Sequence, residues 1–342
     1  MEFTLPDVIW AGTQQSLILA TQAHNAIQMG VYSYAPEEQE EEKSYLLSVH
    51  GDVGVVTIRG SLTNRDSYWN RYAGVTSYNE IRRALVQAAN DKSLKSILLD
   101  IDSGGGAVSG VADVGNLIRA INSGVKRVYA FTDGNMCSAA YWVGCAAAEV
   151  YTSKTAVLGS IGVIATHMEY SEMFKKAGIG VNVVRAGEFK ALLNTFEKAP
   201  KEGLEKQAEM LSAMYDVFVE HVAECRSSTV AQVNSRMAQG REFVGAMAVD
   251  VGLADGVSTF DKLLGTLQAK SLDSESFPFD NSDNPNRNMP MKQALTQQEI
   301  AALAAGAPSA TAPAATAAEA PAAAPAAPAA PAAPAAEAPA AA

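Results

Sequence analysis

A serine followed by small residues, and a lysine set among apolar ones, are the side chains in this 342-residue chain best suited to hydrolytic chemistry. Ser138 lies in Asn135-Met136-Cys137-Ser138-Ala139-Ala140, after a strand-like run and at the start of a small-residue helix. A helix N-terminus presents free N–H groups and the positive end of the dipole, both of which favour a developing negative charge. An ordinary N-capping serine also fits this position, and the α/β-hydrolase pattern G-x-S-x-G is absent. Neighbouring Cys137 is a second candidate nucleophile, although a cysteine among small residues is more often core. A nucleophilic serine needs a base. His24, His50, His167 and His221 stand in no triad pattern. Lys190, in Gly187-Glu188-Phe189-Lys190-Ala191-Leu192-Leu193, is the alternative. Apolar surroundings disfavour an ammonium and lower a lysine pKa from its ordinary value of about 10.4. Its bland reading is an aliphatic stem lying along a helix start with the head in water.

Two further segments complete the set. Gly104-Gly105-Gly106 follows Asp102-Ser103 at the end of an apolar run. Glycines there free the backbone for positive φ and for close approach to a ligand. Neither G-x-G-x-x-G nor a Lys-Ser/Thr ending is present, which weighs against phosphate. An oxyanion hole and a plain tight turn both remain open. Ser160, in Thr155-Ala156-Val157-Leu158-Gly159-Ser160-Ile161-Gly162-Val163, sits in a glycine-punctuated strand and could orient a neutral lysine amine.

These segments need a framework, and between about 45 and 266 the pattern alternates. Residues 53–62 and 96–103 read as buried strands, and 126–134 as another. Helices are expected over 77–91, with Ser77 and Glu80 as a capping box, over 112–122, closed by Ser-Gly, and over 137–148. A broad apolar face (Leu204, Met210, Leu211, Met214, Val217, Phe218) marks 200–240 as helix-rich, for the core or for a second subunit. This rhythm predicts an α/β domain with helices on a mainly parallel sheet and functional loops at the carboxyl ends of strands.

Outside this region the composition changes. Only three of 14 prolines precede position 270, and no aromatic residue follows Phe279. The Ala/Pro-rich 268–342 therefore reads as a disordered, low-complexity tail. Residues 7–30 show helical spacing (Leu17, Ala20, Ala23, Ile27), and Glu38–Lys43 reads as an acidic linker. The division expected is thus 1–44, 45–267 and 268–342. With 26 basic and 37 acidic residues the net charge is −11, which argues against nucleic acid or an anionic membrane surface as partner. Cys137, Cys145 and Cys225 are too few and too scattered for a disulfide framework or zinc site. No signal peptide or membrane anchor is apparent, and a reducing, cytoplasmic setting is expected.

The order D-S-G-G-G, N-M-C-S-A-A, G-S-I-G-V, G-E-F-K over about 50–265 resembles the signal peptide peptidase A-like serine peptidases. It is most similar to their phage prohead (capsid assembly) protease branch, that of minor capsid protein C. The resemblance implies a crotonase/Clp-protease-like spiral of ββα units, a helical N-terminal segment and a scaffold-like tail. It implies Ser138 as nucleophile and Lys190, 52 residues on, as general base, with Ser160 orienting the lysine. Gly106 and Ala139 N–H groups, beside Gly105, would form the oxyanion hole. The family's Ser/Thr-Pro-Gly-Gly turn has Gly104 in place of proline here. No metal or cofactor is implied. Partners would be scaffold, capsid and portal proteins and further copies of the chain, with the lysine able to reach a neighbour's serine. The location implied is the bacterial host cytoplasm, inside the procapsid. Alternatives are a host-type signal-peptide or protein-quality peptidase, a catalytically silent capsid-assembly protein, and a crotonase-like acyl-CoA enzyme.

Overall fold

The computed structural model describes residues 10–12, 44–67, 70 and 73–272. The helical spacing from Leu17 to Ile27, the acidic linker and the chain beyond 272 lie outside these residues. In chain order the described elements begin with β1 (Trp10–Gly12), β2 (Leu47–His50), β3 (Val53–Arg59), β4 (Ser61–Thr63), β5 (Val75–Ser77) and α1 (Tyr78–Asn90). There follow β6 (Ser96–Asp102), β7 (Gly105–Ala107), α2 (Val111–Gly124), β8 (Arg127–Thr132), β9 (Asn135–Cys137) and α3 (Ala139–Gly144). Next come β10 (Glu149–Thr152), β11 (Val157–Gly159), α4 (Ser171–Lys176), α5 (Lys201–Cys225) and α6 (Val230–Gln232). The last are β12 (Glu242–Val244), α7 (Ala246–Val251), β13 (Gly256–Val257) and α8 (Phe260–Leu272).

The long strands form one sheet in the order β13-β10-β8-β6-β3-β2, parallel except where β2 meets β3. β3 and β6 are rich in Val, Ile and Leu and are buried along most of their length, as strands covered on both faces must be. Helices cover one face. α8 covers part of the other, setting Leu263 and Leu267 against Val53, Val55, Leu98 and Tyr129. Phe260 of α8 meets Phe131 edge-on at 5.9 Å. α8 continues to Leu272, and its Gln268 donates to the His50 carbonyl at 3.0 Å.

β3, β6 and β8 each hand the chain to a short strand in a smaller sheet before a helix returns. β6-β7-α2 and β8-β9-α3 are two such ββα units. The expected spiral is therefore present. The short strands form two sheets, β1-β7-β4-β5 and β12-β11-β9. The single strand expected over 53–62 is in fact two, β3 and β4. Gly60, at φ 69°, turns the chain between them, and a Cβ there would lie 1.9 Å from the Gly74 carbonyl oxygen.

Local signals explain the helices. Ser77 caps α1 by accepting from Glu80 N at 3.1 Å, but Glu80 does not close the box. Its carboxylate instead accepts from Ser44 Oγ at 3.0 Å. The 25-residue α5 packs through its C-terminal half, where Phe218 stacks on Trp142 of α3 at 4.3 Å. Just beyond, buried Arg226 grips Asp255 with two bonds of 2.9 and 3.0 Å and donates to the Gly252 carbonyl. No described helix is long and apolar enough to cross a membrane. Substituting Gly60 with Ala forces a side chain into left-handed backbone against a carbonyl. The expected loss is about 2–3 kcal/mol of stability, read as a lower urea midpoint.

Candidate active site

Ser103 ties the two loops of the site together. Its N–H donates to the Asn135 carbonyl at 2.7 Å, and its carbonyl accepts from Cys137 N at 3.1 Å. Its hydroxyl donates to the Gly60 carbonyl at 2.5 Å and accepts from Gly105 N at 3.1 Å. Asp102 adds a second tie, accepting from Asn135 N at 2.9 Å. Gly134 is small by necessity, since a Cβ there would meet the Asp102 carboxylate at 2.3 Å. One serine thus joins the β3–β4 turn, the glycine turn and the strand that leads to Ser138. The sequence assigns Ser103 no role of its own; its signal is its place at the Ser/Thr position directly before the glycine run.

Ser138 connects β9 to α3 at φ 56° and ψ −122°, a conformation that costs a non-glycine residue about 1–3 kcal/mol. Its N–H donates to the Gly159 carbonyl at 2.7 Å, and its carbonyl accepts from Trp142 N at 2.9 Å. The hydroxyl does not cap α3. Among the described residues its one hydrogen-bonding contact is a long 3.5 Å approach to the Gly162 carbonyl. The ordinary N-cap role therefore does not hold this serine; its backbone is fixed while its oxygen stays uncommitted. Ala139 is the first residue of α3, and β7, with Gly105 and Gly106, packs against that helix. Gly105 has φ 97°, and a Cβ on Gly106 would lie 1.9 Å from the Leu62 carbonyl oxygen, so these positions admit backbone only.

β9 and β11 run parallel with Cys137 opposite Gly159. Ser138 and Ser160 are each the next residue, so they leave neighbouring strands side by side, at a strand spacing of about 4.8 Å. Ser160 also has positive φ, 50°, and its N–H donates to the Arg241 carbonyl at 2.7 Å.

Lys190 stands elsewhere in character. It follows Gly187 in a turn, not a helix start, with its N–H donating to the Gly187 carbonyl at 3.1 Å. Its side chain is exposed and forms no hydrogen bond or ion pair with any described residue, Ser138 and Ser160 included. Within one chain the structure brings Ser138, Ser160, Ala139, Gly105 and Gly106 together and leaves Lys190 outside that group's bonding. The apolar burial expected around the lysine is not supplied by the described residues. Most of 164–191 is exposed too, with Val184 95% and Met173 55% exposed.

Other candidates are settled by their surroundings. Cys137 Sγ faces the Val157 carbonyl at 3.6 Å, and burial pushes its thiol up to about 12, with Glu242 adding repulsion. A thiol so held is a poor nucleophile at neutral pH. None of the described histidines bonds the Ser138 hydroxyl. His50 pairs with Ser48 Oγ at the surface. His221 is buried in α5, and its Nε2 lies 3.1 Å from the Trp142 carbonyl oxygen.

Two cysteines far apart in sequence do converge on that histidine. Cys145, His221 and Cys225 bring their ligand atoms within 4.8 Å of one another. The Cys145 S–H holds the Cys225 thiol well below its ordinary range, while burial raises Cys145. Cys145 Sγ and His221 Nε2 both already contact the Trp142 carbonyl, at 3.4 and 3.1 Å. The cluster is a closed hydrogen-bonding group around a backbone oxygen.

The geometry gathers Ser138 and the glycine backbone on a spiral of ββα units. Residues 120–272 match the model of peptidase family S49, and the resemblance drawn from the motifs holds for both family and branch. The capsid assembly protease C of Escherichia phage lambda is 30% identical over 63% of this chain and 48% of its own length. The head-tail preconnector protein GP5 of Enterobacteria phage P21 is 30% identical over 59% of this chain and 40% of its own. This chain thus spans about half the length, or less, of these two relatives. A solved ClpP1 mutant from Listeria monocytogenes aligns over 61% of this chain and 94% of its own, at 15% identity and a TM-score of 0.39.

If Ser103 is the tie described, Ser103→Ala leaves Gly60 O and Gly105 N without their buried partner. The expected cost is about 1–3 kcal/mol in urea unfolding. Slower labelling of Ser138 by a fluorophosphonate should accompany it.

Proposed function

We propose that this chain is a serine endopeptidase that uses Ser138 and Lys190. It would process scaffold, capsid and portal proteins, and itself, during phage head maturation, within the host cytoplasm and the procapsid. The observation that carries this is the uncapped Ser138 hydroxyl, fixed at positive φ beside the backbone of Gly105, Gly106 and Ala139. The named roles of the similar phage proteins supply the setting. No metal or cofactor enters the reaction.

In the first step Ser138 Oγ attacks a peptide carbonyl carbon and gives its proton to neutral Lys190. Ala139 N–H and Gly106 N–H stabilise the oxyanion. The C–N bond breaks as Lys190 returns the proton to the leaving amine. Water then attacks the acyl-enzyme, Lys190 takes its proton, and Ser138 is released with that proton restored. Ser160, beside Ser138, would hold the lysine amine in place.

Lys190 has to be brought in and desolvated for this to work, and a second copy of the chain can do both. Val184, Phe189, Met173 and Ile179 in the same 164–191 stretch, and Leu204 and Met210 on α5, are exposed apolar side chains. Patches of this kind mark protein contacts. In an assembly, the 164–191 stretch of one subunit would cover the Ser138 site of the next.

Ser138→Ala and Lys190→Ala should each lower cleavage of an unstructured protein by at least about a thousandfold while the circular dichroism melt is kept. Mixing the two inactive variants should restore part of the activity, since some interfaces then join an intact serine to an intact lysine. Wild-type cleavage by Lys190→Ala would sink the dyad. Inactive single variants with no recovery on mixing would confine the dyad to one chain.

A further inference from the structure

The strand next to the glycine turn is already occupied, and by the chain itself. β7 has two edges. One pairs with β4, with Leu62 opposite Gly106. The other pairs with β1, antiparallel, in the register Trp10–Ala107, Ala11–Gly106 and Gly12–Gly105. β1 is the outer strand of its sheet, is three residues long, and also lies against α3, the helix that opens at Ser138. An extended segment therefore runs along the backbone of Gly105–Ala107, beside the nucleophile. A peptide added to an open sheet edge takes this arrangement, its backbone bonding to the edge whatever its side chains.

We propose that the outer edge of β7 is a binding site for an extended polypeptide and that Trp10–Gly12 occupies it as an internal competitor. An incoming polypeptide must displace it. The occupant suits that role. Three residues make only a few ladder hydrogen bonds, each of modest net strength. Tethering gives those few bonds a high effective concentration, so the strand holds the edge against weak or passing ligands and yields to tight ones. The inference goes beyond the peptidase reading and rests on it only for what the displaced edge is used for. Occupancy of the edge can be measured with catalysis removed.

The test uses the full chain carrying Ser138→Ala and fluorescein-labelled β-casein, an unstructured protein, read by anisotropy. Ala11→Pro and Gly12→Pro are each added to this background. Consecutive N–H groups of a strand point to opposite sides, so one of the two prolines removes a bond to β7 and the other serves as its control. The expected result is about fivefold tighter casein binding in one variant, the equilibrium factor for one backbone hydrogen bond of ordinary net strength. A second measurement needs no change in β1. Saturating casein added to the Ser138→Ala chain should speed amide exchange at 10–12 while 105–107 stay protected. Unchanged casein affinity in both proline variants, no casein binding at all, or unchanged exchange at 10–12 would each overturn the proposal. Cleavage by the Ser138-intact chain is scored separately: tighter binding with no cleavage by that chain keeps the competitor and removes the peptidase reading.

Discussion

Everything at the site depends on a backbone held where a side chain resists going. Ser138 adopts positive φ because β9 is clamped on both sides, by Ser103 and by β11. The pairing of Cys137 with Gly159 decides which residues leave the two strands together. A shift of one residue in that register would turn each exit to the opposite face. The strain at Ser138 is met by the surrounding ladders, and what it yields is a hydroxyl not spent on capping the helix it opens. The large parallel sheet serves this arrangement by fixing where β6 and β8 end.

The same framework fixes the Ser138 hydroxyl and the glycine backbone beside it but leaves Lys190 apart. Buried groups surround Ser138, whereas Lys190 stands on an exposed turn among exposed apolar residues. Exposed Val, Phe and Met are tolerable singly, but a stretch rich in them is better explained by a covering surface. The split also fits the two halves of α5. Phe218, Val219 and Val222 are packed beneath the sheet's helices, while Leu204 and Met210 are left to solvent.

The sequence made much of this legible. The apolar runs gave the parallel strands, and Gly-rich turns at their carboxyl ends marked the site. Ser138 and Ser160 were visible as residues flanked by small neighbours, although only strand register shows that they are adjacent. Three things were not legible, each for a physical reason. Gly60 looked like part of the end of one strand, because what demands a glycine there is remote in sequence, the Gly74 carbonyl that a Cβ would meet at 1.9 Å. Glu80 looked like half of a capping box, yet Ser44, remote in sequence, claims its carboxylate. The three cysteines looked scattered, while α3 and α5 bring two of them to one histidine. Local pattern reports local preference, and each of these outcomes was set by a long-range partner.

The outward-facing lysine turn also carries a kinetic meaning. Under the proposed peptidase chemistry with a base from a neighbouring copy, turnover is second order in chain at low abundance, and a dispersed population is nearly silent. Hydrolysis then switches on with crowding, so that confinement in a small volume acts as the trigger without any dedicated activator.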